Sequence, residues 1–383
     1  MKKRYIEILR RFSIPLILGL AASELLANLS PNTYQFAVYH NWLGGVSLHF
    51  LVNDVFMAFF FAIAVTEVVQ ATKPGGGLNP ARLAINPIVS SIGGVVFPML
   101  IFLLMNAIVG SPDYIHGFGI PTATDIALSW LFIRAIFGAE HPAVKFLLVL
   151  AIVDDIIGLV IIALFYPDSA AAIRPLYLLL TAAGMVFAYI LRRNRVNNYC
   201  PYVYIGGLTA WIGLFLAHVH PALALCFVIP FIPSGEAELK RTFIEDLTEK
   251  SPLAKFERRW RPIVDFGLFF FGFVSAGIRF SQFGTVTVLV LVALIIGKPL
   301  GIMIFSSVCS LMGFRRHKDV SFTSLFIVGM AAGVGFTVSL FICESAFAGR
   351  PDIANAAKMG ALLSVFGGFL ALAIGKLIRK KAG

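Results

Sequence analysis

The chain has 383 residues, 58% of them apolar and only 13% charged, with a mean hydropathy of +0.87. A soluble domain carries about 25% charged residues, so too little polar surface exists here to clothe a water-soluble globule, and the apolar side chains must face lipid. The formal charge of +11 lies in short clusters between apolar runs, with no basic stripe and no binding motif, which argues against nucleic acid as a partner.

Cys200, Cys226, Cys309 and Cys343 are scattered without CxxC spacing, a pattern that fits neither structural zinc nor a disulfide framework. The segment from Met1 to Arg11 is too charged for a signal core. The apolar run after it has no small-residue cleavage site, so it is expected to remain as a first helix. Punctuating the rest at its Pro, Gly and charge clusters, with about 20 apolar residues per crossing, gives about twelve spans. Their centres fall near Leu18, Phe60, Phe97, Leu128, Val153, Thr181, Ala210, Phe227, Phe271, Ile296, Ala332 and Phe366. The eighth, from His220 to Pro233, is short.

Basic residues alternate in density along the connections. One side receives Lys2, Lys3, Arg4, Arg10 and Arg11, then Lys73 and Arg82, Arg192, Arg193 and Arg195, the Lys240 to Arg261 segment, Arg315, Arg316 and Lys318, and the C-terminal Lys376 to Lys381. The other side receives only Arg174, Arg279, Arg350 and Lys358. By the positive-inside rule both termini are expected in the cytoplasm.

Two spans concentrate helix breakers and hydroxyls at membrane depth. These are Gly119-Ile120-Pro121-Thr122-Ala123-Thr124-Asp125 in the fourth and Gly333-Val334-Gly335-Phe336-Thr337-Val338-Ser339 in the eleventh. An odd number of crossings separates them, so two copies of one unit would enter the membrane in opposite senses. The expected architecture is therefore an all-α polytopic membrane protein with an inverted repeat and two interrupted, crossing helices.

Ionisable residues inside a span are expensive and are read as functional. Asp154 and Asp155 are adjacent carboxylates in an otherwise unbroken apolar helix, and neighbours on a helix point about 100° apart. The two cannot share one partner, so one can hold a small cation while the other pairs with a base. Lys298, near the middle of the tenth span, needs an anion, and Asp154 is the expected one. Burial penalises the charged form of each group, whereas pairing restores both. Asp125 follows the break in the fourth span, where it can either balance exposed helix ends or ligate an ion, with the Thr124 hydroxyl beside it. Asp54 can line an entry path or make an interhelical hydrogen bond. Glu67 falls at the inner mouth of the second span. His218 and His220 read as loop histidines, and Glu24 and Glu344 receive no role.

The segments Asn53-Asp54, Thr122-Ala123-Thr124-Asp125, Ala151-Ile152-Val153-Asp154-Asp155, Gly297-Lys298-Pro299-Leu300-Gly301 and Gly333 to Ser339, in this order, resemble the NhaA family of sodium/proton antiporters. That family is itself a standard example of the inverted-repeat arrangement. The resemblance implies twelve spans in one transporter domain, 1–383, with ion-exchange helices over about 85–166 and 286–378 and the remaining helices over about 12–70 and 173–280. It implies Asp155 as the main Na+ ligand, with Asp154 and Thr124 beside it. Asp154 would pair with Lys298, Asp125 would stand at the helix crossing, Asp54 would line a funnel, and Glu67 and Glu257 would take part in pH sensing. It further implies electrogenic exchange of Na+ or Li+ for protons across a bacterial inner membrane, no cofactor, and a monomer or homodimer. The chain departs from the family pattern in Val68-Val69-Gln70 after Glu67, in Arg258 and Arg261 near Glu257, and in a segment 30–48 shorter than the family's extended β-hairpin.

Exchange needs only a carboxylate that holds either a proton or Na+ and a site that opens to one side at a time. Two other readings are weighed against this one. A sodium-coupled symporter of an organic solute needs a roomy polar pocket, for which only Asn106 and Ser129 stand out. An intramembrane aspartyl protease needs two aspartates sharing a proton. Asp125 and Asp155 could converge, but no Gly-x-Gly-Asp is present and Lys298 would disturb such a dyad.

Overall fold

The computed structural model describes residues 14–73, 81–166, 173–234 and 251–382. The basic tail Lys2 to Arg11 and residues 240–250 of the expected inner loop lie outside them. Helix α1 (Ile14–Leu29) leads into a short helix α2 (Pro31–Tyr39) and a hairpin of β1 (Asn41–Leu43) and β2 (Val46–Ser47). Gly44 and Gly45 turn the hairpin at φ of 59° and 98°, a region that side chains disfavour. Segment 30–48 thus forms a hairpin, but a small one.

The remaining elements are α3 (Leu48–Ala71), α4 (Ala81–Val109), a 3-10 helix α5 (Pro112–Thr122), α6 (Ile126–Phe137), α7 (Pro142–Phe165), α8 (Pro175–Arg193), α9 (Pro201–Ala217) and α10 (Pro221–Phe231). They continue with α11 (Pro252–Ser275), α12 (Thr285–Leu311), α13 (Phe322–Ala332), α14 (Thr337–Ala346) and α15 (Pro351–Ile378). Helices α3, α4, α7, α8, α12 and α15 are long and apolar enough to cross a bilayer, and the pairs α5–α6 and α13–α14 each make one broken span, bent by 53° and 50°. A count of twelve requires α1, α9, α10 and α11 to cross as well. Exposed side chains such as Leu104, Ile108, Leu164, Leu176 and Leu311 are tolerable only against lipid.

Small residues bring helices to backbone contact. A Cβ on Gly301 of α12 would lie 2.1 Å from the Gly93 carbonyl oxygen of α4, and one on Gly93 would lie 2.4 Å from the Gly301 carbonyl oxygen. That reciprocal contact is the small-residue packing that membranes favour in the absence of a hydrophobic drive between helices. Pro299 cannot donate to the carbonyl one turn back, and α12 widens into a π turn over Ala293–Gly297 immediately before Lys298. A second π turn, Leu51–Phe56, carries Asp54.

The connections gather at two ends. At one, α2, the start of α3, the α9–α10 turn and the α14–α15 turn surround a cavity lined by Tyr39, Asp54, His220 and Gly349. At the other, Lys73 donates to the Ser234 carbonyl (2.9 Å) and the end of α3 meets the start of α11. Lys358, expected to be an exposed basic residue, is instead buried inside α15 and paired with Glu344 at 2.6 Å.

Candidate functional site

The two breaks are local consequences of sequence. Pro121 removes a backbone donor and Gly117 and Gly119 weaken the helix, so α5 ends at Thr122 and the chain runs extended through Ala123 and Asp125 before α6 begins. Such ends leave carbonyls and N–H groups that lipid cannot satisfy. Here each broken span satisfies the other. Ser339 of α14 donates to the Ile120 carbonyl (2.8 Å) and Ser129 to the Ala331 carbonyl (2.7 Å), while the Thr124 hydroxyl lies 3.1 Å from the Ala332 carbonyl at the end of α13. The Asp125 N–H donates to the Val334 carbonyl at 2.8 Å, joining the two breaks directly.

Asp125 caps α6 by accepting from the Leu128 N–H (3.0 Å), and its second oxygen faces the Thr337 N–H and hydroxyl at 3.4 and 3.3 Å. Its carboxylate thus stands between the positive ends of α6 and α14. Lys298 does the converse at a negative end, donating to the Thr122 carbonyl at the close of α5 (2.5 Å).

Lys298 Nζ also lies 3.1 Å from Asp154 Oδ2, and both side chains are fully buried. Thr124 donates to the same oxygen (2.6 Å) and Ser91 to Oδ1 (2.5 Å). Both oxygens of Asp154 are therefore engaged. Asp155, one residue on, differs: its Oδ1 is buried without a hydrogen-bond partner among the described residues. It sits in the field of Glu67, Asp154, Asp125 and Lys298. An orphaned carboxylate oxygen costs free energy unless a proton or a cation joins it.

Structure therefore brings together Asp154, Asp155, Lys298, Thr124 and Asp125 from three spans. Glu67, whose charge acts on Asp155, is tied to Arg261, which also lies 3.0 Å from Glu257, and Gln70 donates to Glu257 (2.5 Å). Asp54 lines the cavity at the opposite end, 4.0 Å from His220, which is buried and not a free loop residue. Sequence reasoning gave no role to Ser91, whose signal was the Ser90-Ser91 pair in an apolar helix, or to Ser339, in the first turn of α14 after the second break.

Charges held at membrane depth where two broken helices cross suit the holding and release of a small cation, and this architecture defines a membrane-embedded secondary ion transporter. The profile of the family Na+/H+ antiporter 1 matches residues 13–377. The chain belongs to that family: it is a multi-pass membrane transporter and not an enzyme. It is 52% identical over 379 residues to the Na(+)/H(+) antiporter NhaA of Geobacter metallireducens, covering 98% of both chains. To the Na(+)/H(+) antiporter NhaA of Desulfitobacterium hafniense it is 50% identical over 377 residues, covering 98% of this chain and 97% of the relative. Among solved structures it is similar to the sodium proton antiporter MjNhaP1 of Methanocaldococcus jannaschii, with 16% identity, a TM-score of 0.49 and coverage of 94% and 97%. The symport and protease readings find no support, and Asp125, engaged as a helix cap, is not free to share a proton with Asp155.

Proposed function

We propose that the chain exchanges Na+ or Li+ from the cytoplasm for external protons by letting the two ions compete for Asp155. The observation that carries this reading is the orphaned Oδ1 of Asp155 beside an Asp154 whose oxygens are already engaged. Asp154, Lys298 and Thr124 hold that second carboxylate in place and supply oxygen donors next to the ion. Asp125 keeps the two positive helix ends at the crossing neutral. Because the pair Asp154–Lys298 can also take and release a proton, the site can move more protons than sodium ions, which makes exchange electrogenic.

In this reading twelve spans form two groups, 85–166 with 286–378 and 12–70 with 173–280, that rock against each other to expose Asp155 to one side at a time. The density of Lys and Arg supports an orientation with both termini in the cytoplasm, and a bundle of apolar helices suits the inner membrane. Asp54 then lines the outer cavity, and Glu67 and Glu257 face the cytoplasmic mouth. Every site residue comes from one chain, so a monomer or each half of a homodimer is competent, without a cofactor.

Sodium-driven dequenching of a pH dye in everted vesicles tests the site. Asp155→Asn is expected to abolish exchange, and robust activity in that variant overturns the assignment. Competition further requires the apparent KM for Na+ to fall by up to about tenfold per pH unit on the acidic limb. A KM indifferent to pH excludes a shared site.

A further inference from the structure

The cavity beside α2 and the α14–α15 turn holds a charge cluster that ion exchange at Asp155 does not use. It measures about 300 Å³, and its walls come from α2, the start of α3, the α9–α10 turn, α14 and α15. Phe341 lines it and packs edge-to-face on buried Phe61 of α3, ring centroids 5.2 Å apart. Within it, Glu344 at the end of α14 holds Lys358 of α15 through Oε1 (2.6 Å). Its other oxygen accepts from Asn53 Nδ2 and lies 3.3 Å from His49 Nε2, both at the start of α3. His49 in turn lies 3.0 Å from Asn53 and stacks on Tyr39 of α2 at 5.1 Å.

The bonds of Glu344 are thus of two kinds. Lys358 belongs to the same group of helices, so that contact can persist through any rigid movement. His49 and Asn53 stand on α3, across the boundary, and α14 is the element that carries Thr337 at the ion site. Any movement that parts α3 from α14 must separate Phe61 from Phe341 and break the contacts of Glu344 with His49 and Asn53. We propose that Glu344 is the latch of the outer face, locked by His49 and Asn53 and anchored by Lys358, whose release must precede opening of the cavity to the ion site. Lys358 fits the anchor because, with α3 withdrawn, it still leaves the carboxylate paired and avoids stranding a buried charge.

This rests on the alternating-access reading above, and its test separates the two. Ala58, buried one turn below Asp54 on α3 and above Phe61, becomes a reporter as Ala58→Cys in a chain whose four native cysteines are replaced. Hydrogen bonds to a charged group shift such an equilibrium by about tenfold or more. Labelling by an impermeant maleimide from outside is therefore expected to accelerate by about tenfold in His49→Ala/Asn53→Ala, which leaves the Glu344–Lys358 pair intact. Unchanged labelling overturns the latch. A second measurement bridges Tyr39→Cys of α2 to Ala354→Cys of α15, both lining the cavity, with a short bis-maleimide. The bridged carrier is expected to bind Na+ by calorimetry yet stop exchanging it. Exchange by the bridged carrier overturns the latch, whereas failure of the unmodified protein to exchange Na+ for H+ overturns the antiport reading itself.

Discussion

Replacing Asp125 separates its role as a helix cap from a role as an ion ligand. In the structure its carboxylate takes one N–H of α6 at 3.0 Å and faces the N–H and hydroxyl of Thr337 at the start of α14. Losing an N-cap side chain costs about 1 kcal/mol, and a charge at one helix N-terminus contributes about 0.3–1 kcal/mol, up to about 2 when partly buried. Asp125→Asn retains an acceptor but loses the charge at two helix ends, for an expected cost of about 1–3 kcal/mol. Asp125→Ala loses the cap as well, for about 2–4 kcal/mol. Thermal unfolding of the purified carrier in detergent should therefore rank wild type above Asn above Ala, while Na+ binding to folded Asp125→Asn, measured by calorimetry, stays within a few fold of wild type. Loss of Na+ binding in Asp125→Asn without loss of stability would refute the capping role and make Asp125 a ligand.

Lys298→Met breaks a buried pair and leaves the Thr122 carbonyl without its donor, so it should cost about 3–5 kcal/mol; Lys298→Met with Asp154→Leu should recover much of this, which a double-mutant cycle on melting temperature reads directly. Thr124→Val removes the donor to Asp154 Oδ2 at the same volume and should destabilise by about 1–3 kcal/mol, whereas Thr124→Ser should not. Gly301→Ala must push α12 from α4 and is expected to cost about 1–3 kcal/mol, with a larger loss for Gly301→Val, seen as a lower melting temperature in detergent.

Much of the site was legible in the sequence because a membrane makes polar residues conspicuous. Asp154, Asp155 and Lys298 stood out from apolar helices, and the Gly, Pro and Thr clusters marked both breaks before any coordinate was known. Composition likewise determined that the chain lies in lipid. What periodicity could not supply was partnership between distant spans. Ser91 meets Asp154 across 63 positions of chain, and Thr124 meets the Ala332 carbonyl across 208. Only tertiary structure decided that Asp154 has both oxygens engaged while Asp155 has one orphaned, since adjacent residues in one helix are distinguished by the helices each faces. The same holds for Glu344 and Lys358, which looked like an unassigned acid and a loop base until folding paired them and set Glu344 against Asn53 of α3. A lone sequence registers the cost of placing a charge in lipid, but the partner that offsets it is chosen by how the helices cross.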